Sequence, residues 1–117
     1  MKKSKAIIET ELKKHLSRVQ QEICGKGPKE VWVRLNANVA TFCSYEPLAP
    51  YEKYLLSIPG GEEEVMRLRQ KVGEHIKPRV CSDIETITGV KVLSIISKLC
   101  LKSNTLFGAI LFHENFD

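Results

Sequence analysis

The stretch EVWVRLNANVATFCSY, residues 30–45, reads as a β-hairpin. In its first half Val31, Val33 and Leu35 alternate with Trp32 and Arg34, the period of a strand. Asn36-Ala37-Asn38 has turn chemistry, because Asn tolerates a positive φ and bonds its own backbone. Val39 to Tyr45 is then rich in strand formers.

Upstream of the hairpin, Ile8, Leu12, Leu16, Val19 and Ile23 recur at steps of three and four, which predicts a helix from about Lys3 to Cys24. Gly25 stands where a left-handed stop belongs, and Gly25-Lys26-Gly27-Pro28 breaks the pattern. Downstream, Pro47 and Pro50 end the second strand, and Pro50 suits the start of a short helix, Tyr51 to Ser57, with Glu52 in its first turn. Ile58-Pro59-Gly60-Gly61 closes it.

A long helix then opens on Glu62, Glu63 and Glu64, which face its positive dipole end. Val65, Leu68, Val72, Ile76, Val80, Ile84 and Ile87 follow in helical period, the strongest such signal in the chain. Pro78 lies inside that pattern and lacks an amide donor, so a kink or a break is predicted near Glu74 to Lys77. Gly89 ends the helix, and Val90 to Leu101 and Leu106 to His113 read as two strands around the polar turn Lys102 to Thr105.

The predicted order is α-β-β-α-α-β-β: an α+β two-layer sandwich in which an antiparallel four-stranded sheet is covered by helices on one face. By analogy this is a ferredoxin-like βαββαβ unit with its first strand moved to the end. Both strand faces carry bulky groups, among them Trp32, Phe42, Leu93 and Phe107, an excess that a homodimer would bury.

A chain of 117 residues with 43% hydrophobic and 27% charged residues fits a single domain, 1–117, with its own core. The net charge of +4 is modest; only Lys2, Lys3, Lys5, Lys13 and Lys14 cluster, and they read as a solvated face. The four cysteines, Cys24, Cys43, Cys81 and Cys100, lack C-x-x-C or Cys/His spacing, and are expected to be reduced, mostly buried apolar residues. No export signal is expected, since Glu9 and Glu11 stand where an apolar region would follow the first lysines. The most apolar stretch, Val90 to Phe112, is interrupted by Lys91, Lys98 and Lys102, against the roughly 20 apolar residues of a spanning helix. A cytoplasmic location is expected, at most peripheral to the inner face of the membrane.

Nothing in the chain composes a catalytic set, so an enzyme is not expected. His15, His75 and His113 sit outside any recognisable motif and read as satisfied or solvated. Glu62 to Glu64 occupy consecutive helical positions and cannot converge on a metal. Gly25-Lys26-Gly27-Pro28-Lys29 lacks phosphate-loop spacing and leads into a strand rather than a helix. No cofactor or metal is therefore implied. Two binding readings remain. Trp32, Phe42 and Tyr45 would stack on single-stranded bases if they shared an open face near Arg34 and Lys29, although packing is the favoured role and nucleic acid is not the expected partner. Lys29, Arg34, Arg69 and Lys77 would surround a cleft between sheet and helices in a small-ligand or nucleic-acid-binding sensor.

Three segments, Gly25-Lys26-Gly27-Pro28-Lys29-Glu30-Val31, Leu48-Ala49-Pro50-Tyr51-Glu52-Lys53 and Ile87-Thr88-Gly89-Val90-Lys91-Val92, resemble in order and spacing the MpsC-like family of small bacterial proteins. That family is named for a sodium-translocating, membrane-potential-generating system. The resemblance implies an accessory or regulatory protein of a membrane ion or inorganic-carbon transport system, with large partner subunits supplying the pore. Gly25, Gly27, Pro28, Lys29, Glu30, Pro50, Glu52 and Gly89 carry the motif; Arg69 and Pro78 match a basic residue and a proline of the long helix. No catalytic residue comes with it. Where the family pattern reads L-T-P-x-E, Ala49 replaces the capping Thr, a loss that typically costs about 1 kcal/mol. Cys100, Asn104 and the tail His113 to Asp117 also depart, which fits a paralogue with another partner.

Overall fold

The structure, a computed structural model, describes residues 3–117. Helix α1 spans Lys5–Cys24; the Ser4 hydroxyl caps it by accepting from the Ile7 amide, and Gly25 ends it at φ 75°. Strands β1 (Glu30–Asn36) and β2 (Val39–Tyr45) form the expected hairpin. Helices α2 (Pro50–Leu56) and α3 (Gly61–Thr88) follow, then β3 (Val92–Cys100) and β4 (Thr105–Phe112). The sheet runs β1-β2-β4-β3, every neighbour antiparallel, so the predicted α+β order and four-stranded sheet are what the chain forms.

Residues directly opposite in an antiparallel ladder share a face, which sorts the sheet into two sides. On the inner side lie Val31, Val33 and Leu35 of β1, Ala40, Phe42 and Ser44 of β2, Leu106, Gly108 and Ile110 of β4, and Ile95, Ser97 and Leu99 of β3. Ile8 and Leu12 of α1 and Val80 and Ile84 of α3 close the main core over them. A second core joins Leu48, Val65 and Leu99, with Leu55 and Leu56 of α2 against it. Gly108 sits where a Cβ would overlap the Ile96 carbonyl and the Phe42 ring, so the ring fills the space of the missing side chain.

Helices α1 and α3 run antiparallel, with Glu22 against Arg79 and His15 against Asp83. This register corrects the reading of the long helix. Val65, Val80 and Ile84 are buried, but Leu68 and Val72 remain 40% and 38% exposed, because α1 ends at Cys24 and leaves that side of the next turns open among the described residues. Of the kink or break predicted near Glu74 to Lys77, the break does not occur: α3 is one helix across Pro78. Proline removes the donor to the Glu74 carbonyl, and both residues are exposed, so water can satisfy that oxygen. In the hairpin the positive φ falls on Ala37, at 55°, rather than on either flanking Asn. The Phe116 amide donates to the Ala37 carbonyl and the Asp117 carboxylate accepts from the Ala37 amide, which straps the tail across the turn.

One polar joint ties these elements together. The Pro47 carbonyl accepts from the Gln20 amide of α1 at 3.0 Å and from the Arg69 guanidinium of α3 at 2.9 Å. The Ser44 hydroxyl at the end of β2 donates to Gln20 at 3.2 Å. Arg69 donates through Nε and Nη2 to the two Glu52 oxygens, each at 2.7 Å, and the Ala49 amide donates to Glu52 at 2.8 Å. Ala49 has no side-chain oxygen, so α2 keeps only the half of a capping box that its third residue supplies. Burial pushes the Glu52 carboxyl up, but the Arg69 fork and the Ala49 amide outweigh it and hold its pKa below the ordinary value.

Breaking this pair leaves a buried charge without its counter-ion, which costs about 3–5 kcal/mol in comparable sites. Arg69→Ala is therefore expected to destabilise the chain by that order in urea unfolding. Arg69→Lys should recover only part of it, since an ammonium lacks the planar fork. The double variant Arg69→Met/Glu52→Leu should unfold at higher urea than Arg69→Ala; if it does not, the charge pair is not what holds the joint.

Candidate functional site

All three helices supply their buried residues to the inner side of the sheet, and the outer side carries none of them. The ladders place four rows there. Trp32, Cys43, Phe107 and Lys98 form one, and Arg34, Thr41, Ala109 and Ile96 the next. Asn36, Val39, Leu111 and Ser94 flank them on one side, Glu30, Tyr45, Thr105 and Cys100 on the other. Ile96 is 67% exposed, Phe107 45%, Leu111 38% and Tyr45 37%; Leu93, in the β3 irregularity, is 56% exposed. The Trp32 indole donates to the Tyr45 hydroxyl at 3.1 Å, which fixes both rings. Charge is confined to the two edge strands: Glu30 and Arg34 on β1, Lys98 on β3. The outer positions of β2 and β4 carry no charged residue.

The four cations predicted to surround one cleft are not brought together. Arg34 lies on the outer face, with its guanidinium on the Val33 carbonyl. Lys29 precedes β1 and is exposed, its amide donating to the Tyr45 carbonyl. Arg69 is consumed by the joint with Glu52, and Lys77 is exposed on α3. Of the three rings considered for base stacking, Trp32 and Tyr45 share the outer face, whereas Phe42 is buried on the inner one. The motif residues are structural. Gly25 and Gly89 end α1 and α3 in left-handed conformations, Gly27 and Pro28 lie in the connection to β1, and Lys29 and Glu30 lead into it. Pro50 opens α2, and Glu52 anchors the joint.

His15 departs from the expectation of a satisfied or solvated ring. It is 5% exposed, and its Nε2 has no hydrogen-bond partner, standing 3.8 Å from an Asp83 oxygen. It borders an open depression of about 420 Å³ between α1 and α3, with Arg18, Glu22, Arg79 and Asp83 around it. Burial lowers the His15 pKa; Asp83 opposes this, and Arg18 and Arg79 add to it. His75 and His113 are exposed. Among the cysteines Cys43 alone is buried, while Cys24, Cys81 and Cys100 are half-buried, fewer buried than expected. Lys3 pairs with Glu11 and Lys5 with Asp117, while Lys13 and Lys14 are exposed; Lys2 lies outside the described residues. Among the described residues no group of three His, Cys, Asp or Glu could hold a metal, and no helix is long and apolar enough to cross a membrane.

The fold and its surface define a two-layer α+β domain whose sheet is bare on one side. The chain belongs to the MpsC family, whose model, described as the Na+-translocating membrane potential-generating system, matches residues 4–114. It is similar to the uncharacterized protein YrhF of Bacillus subtilis (strain 168), at 21% identity over 103 residues, 87% of this chain and 84% of that protein. No solved structure matches.

The His15 shift sets a pH dependence. A histidine with a folded pKa below its unfolded value of 6.5 leaves the unfolded chain holding more protons between the two values. Its contribution is then fully present above 6.5 and is lost as pH falls through the folded value. His15→Leu should flatten the stability–pH curve below 6.5, read as urea midpoints across that range. An unaltered slope in His15→Leu would show that another group carries it.

Proposed function

We propose that this chain is a non-enzymatic accessory or regulatory protein of a membrane ion-transport system, and that it acts by docking another protein surface on the outer face of its sheet. The observation that carries the reading is that face. Ile96, Phe107, Leu111 and Tyr45 are held to water on a rigid scaffold, with an uncharged centre between charged edges. Protein interfaces have this anatomy, an apolar core rich in aromatics inside a polar rim, and soluble proteins rarely leave such patches uncovered. The family description, a Na+-translocating membrane potential-generating system, supplies the context, and a chain without a spanning helix among its described residues fits an accessory place in it. On this reading the protein works in the cytoplasm or at the inner membrane surface.

Single-stranded nucleic acid is the second reading, because Trp32, Tyr45 and Phe107 share an open sheet with Arg34 and Lys98. Two cations are few for a backbone-tracking groove, and the rest of the face is aliphatic or neutral. Packing against protein is therefore favoured.

Affinity purification of the tagged chain from its own host, with cytosol and detergent-solubilised membrane taken separately, tests the proposal. Large membrane subunits should co-elute with the wild-type chain and be lost from Phe107→Asp, while Tyr54→Asp on α2 retains them. Recovery of nucleic acid, or of the same partners by Phe107→Asp, would overturn it.

A further inference from the structure

We propose that the occupant of the outer sheet face is a second copy of this chain, stacked sheet on sheet about a two-fold axis lying in the plane of the interface. The inference rests on reading that face as a docking surface and names the surface it docks: the second copy covers the face, and membrane subunits are held by the resulting dimer, so that Phe107→Asp loses them by breaking it.

The face carries its own complement. With the axis along the strands, β1 lies over β3 and β2 over β4 of the second copy, and rows of equal height meet. Phe107 then faces Cys43, and Trp32 faces Lys98, each row partner being the one the ladders define. With the axis across the strands, between the two central rows, each strand lies over its own copy. Phe107 then faces Ala109, and Trp32 faces Arg34. Either way the most exposed ring of the face meets a small residue and the indole meets a cation, the pairing of large with small that close packing demands and the cation–π contact that Trp favours, while the remaining cation lays its alkyl stem over Ile96 at the edge. A two-fold interface is self-complementary by construction, so a surface that satisfies this under both in-plane axes is suited to itself.

Charge and size agree. The outer positions of the central strands are neutral, so stacking them buries no unpaired charge, while Glu30, Arg34 and Lys98 sit on the edge strands, near water. Four strands of seven or more residues, spaced at about 4.8 Å with a rise of about 3.3 Å, present a flat area of roughly 450 Å². Side-chain relief brings that toward the roughly 800 Å² per partner of a standard interface. The product is a four-layer helix–sheet–sheet–helix particle, with aligned sheets about 10 Å apart.

The test is the mass of the purified chain by light scattering and sedimentation equilibrium, from low to high micromolar concentration. The expected mass is twice the 13.3 kDa of one chain. Phe107→Asp should weaken the dimer by more than about 100-fold in Kd, because on a central strand it buries two carboxylates per interface. Tyr54→Asp, at a residue 75% exposed on α2, should leave it intact. Circular dichroism establishes that the variants fold. A wild-type chain that stays monomeric at high micromolar concentration overturns the inference, as does a folded Phe107→Asp that remains dimeric. The two readings fail separately: a monomeric chain that still loses its membrane partners through Phe107→Asp sinks self-association and leaves the docking function standing.

Discussion

The rest of the structure depends on the fork between Arg69 and Glu52. Glu52 is 4% exposed, and a carboxylate so placed is tolerated only because two guanidinium nitrogens and a backbone amide meet it. The same guanidinium bonds the Pro47 carbonyl, which Gln20 also reaches from α1. The end of β2, the start of α2, the first third of α3 and the last turns of α1 are thus fixed to one point. Hydrophobic packing alone would leave α3 free to slide, since its apolar stripe repeats along 28 residues. A directional pair at one place on that stripe sets the register, and the register decides that Val65 enters the second core while Leu68 and Val72 remain outside.

With the register set, the layer count follows. The helices lie on one side because α1 packs on β1 and α3 on β3, and α2 returns to α3 on that same side. Nothing in the described chain remains to cover the other side of the sheet. Were that side merely solvated, its central strands would be expected to alternate polar residues outward. They carry instead Val39, Cys43, Phe107, Ala109 and Leu111 beside the neutral Thr41, Tyr45 and Thr105, while the charges lie on the edge strands, where charged residues also discourage edge-to-edge pairing. The bare face and the charged edges favour stacking over end-to-end association.

The fold was legible where a local pattern suffices. The hairpin at residues 30–45 and the order α-β-β-α-α-β-β are readable because strand alternation, breaker clusters and helical period each act over a few residues. The joint was not, because Glu52 and Arg69 are 17 residues apart and belong to different helices. Signals were present: Arg69 interrupts an apolar stripe, and Glu52 occupies a capping-box position behind an alanine that cannot complete the box. The choice between kink and break at Pro78 was illegible for a similar reason, since tolerance of a missing donor depends on whether the freed carbonyl meets water, which periodicity does not report. Cations were grouped by type into a cleft, whereas topology sends Arg34 to the outer face and Arg69 to the inner joint. The outer face was half legible: Trp32 and Phe107 stood out as surplus bulk, but only the register shows that Ile96 and Leu111 join them while Phe42 turns inward.

These placements separate what family membership transmits from what it does not. The residues on which the resemblance rests are helix stops, a helix start and the anion of the joint: Gly25, Gly89, Pro50 and Glu52. Their work is to terminate elements and fix their relative positions, so a chain that has them inherits the scaffold and, with it, one uncovered sheet face. The chemistry of that face is written elsewhere, in alternate residues of β2, β3 and β4 that leave the scaffold unchanged when they vary. Kinship in this family therefore argues for a common architecture, while on the proposed docking reading the identity of the bound surface is decided strand by strand. On the proposed reading the outer rows, more than the motif residues, are where the function of this chain is encoded.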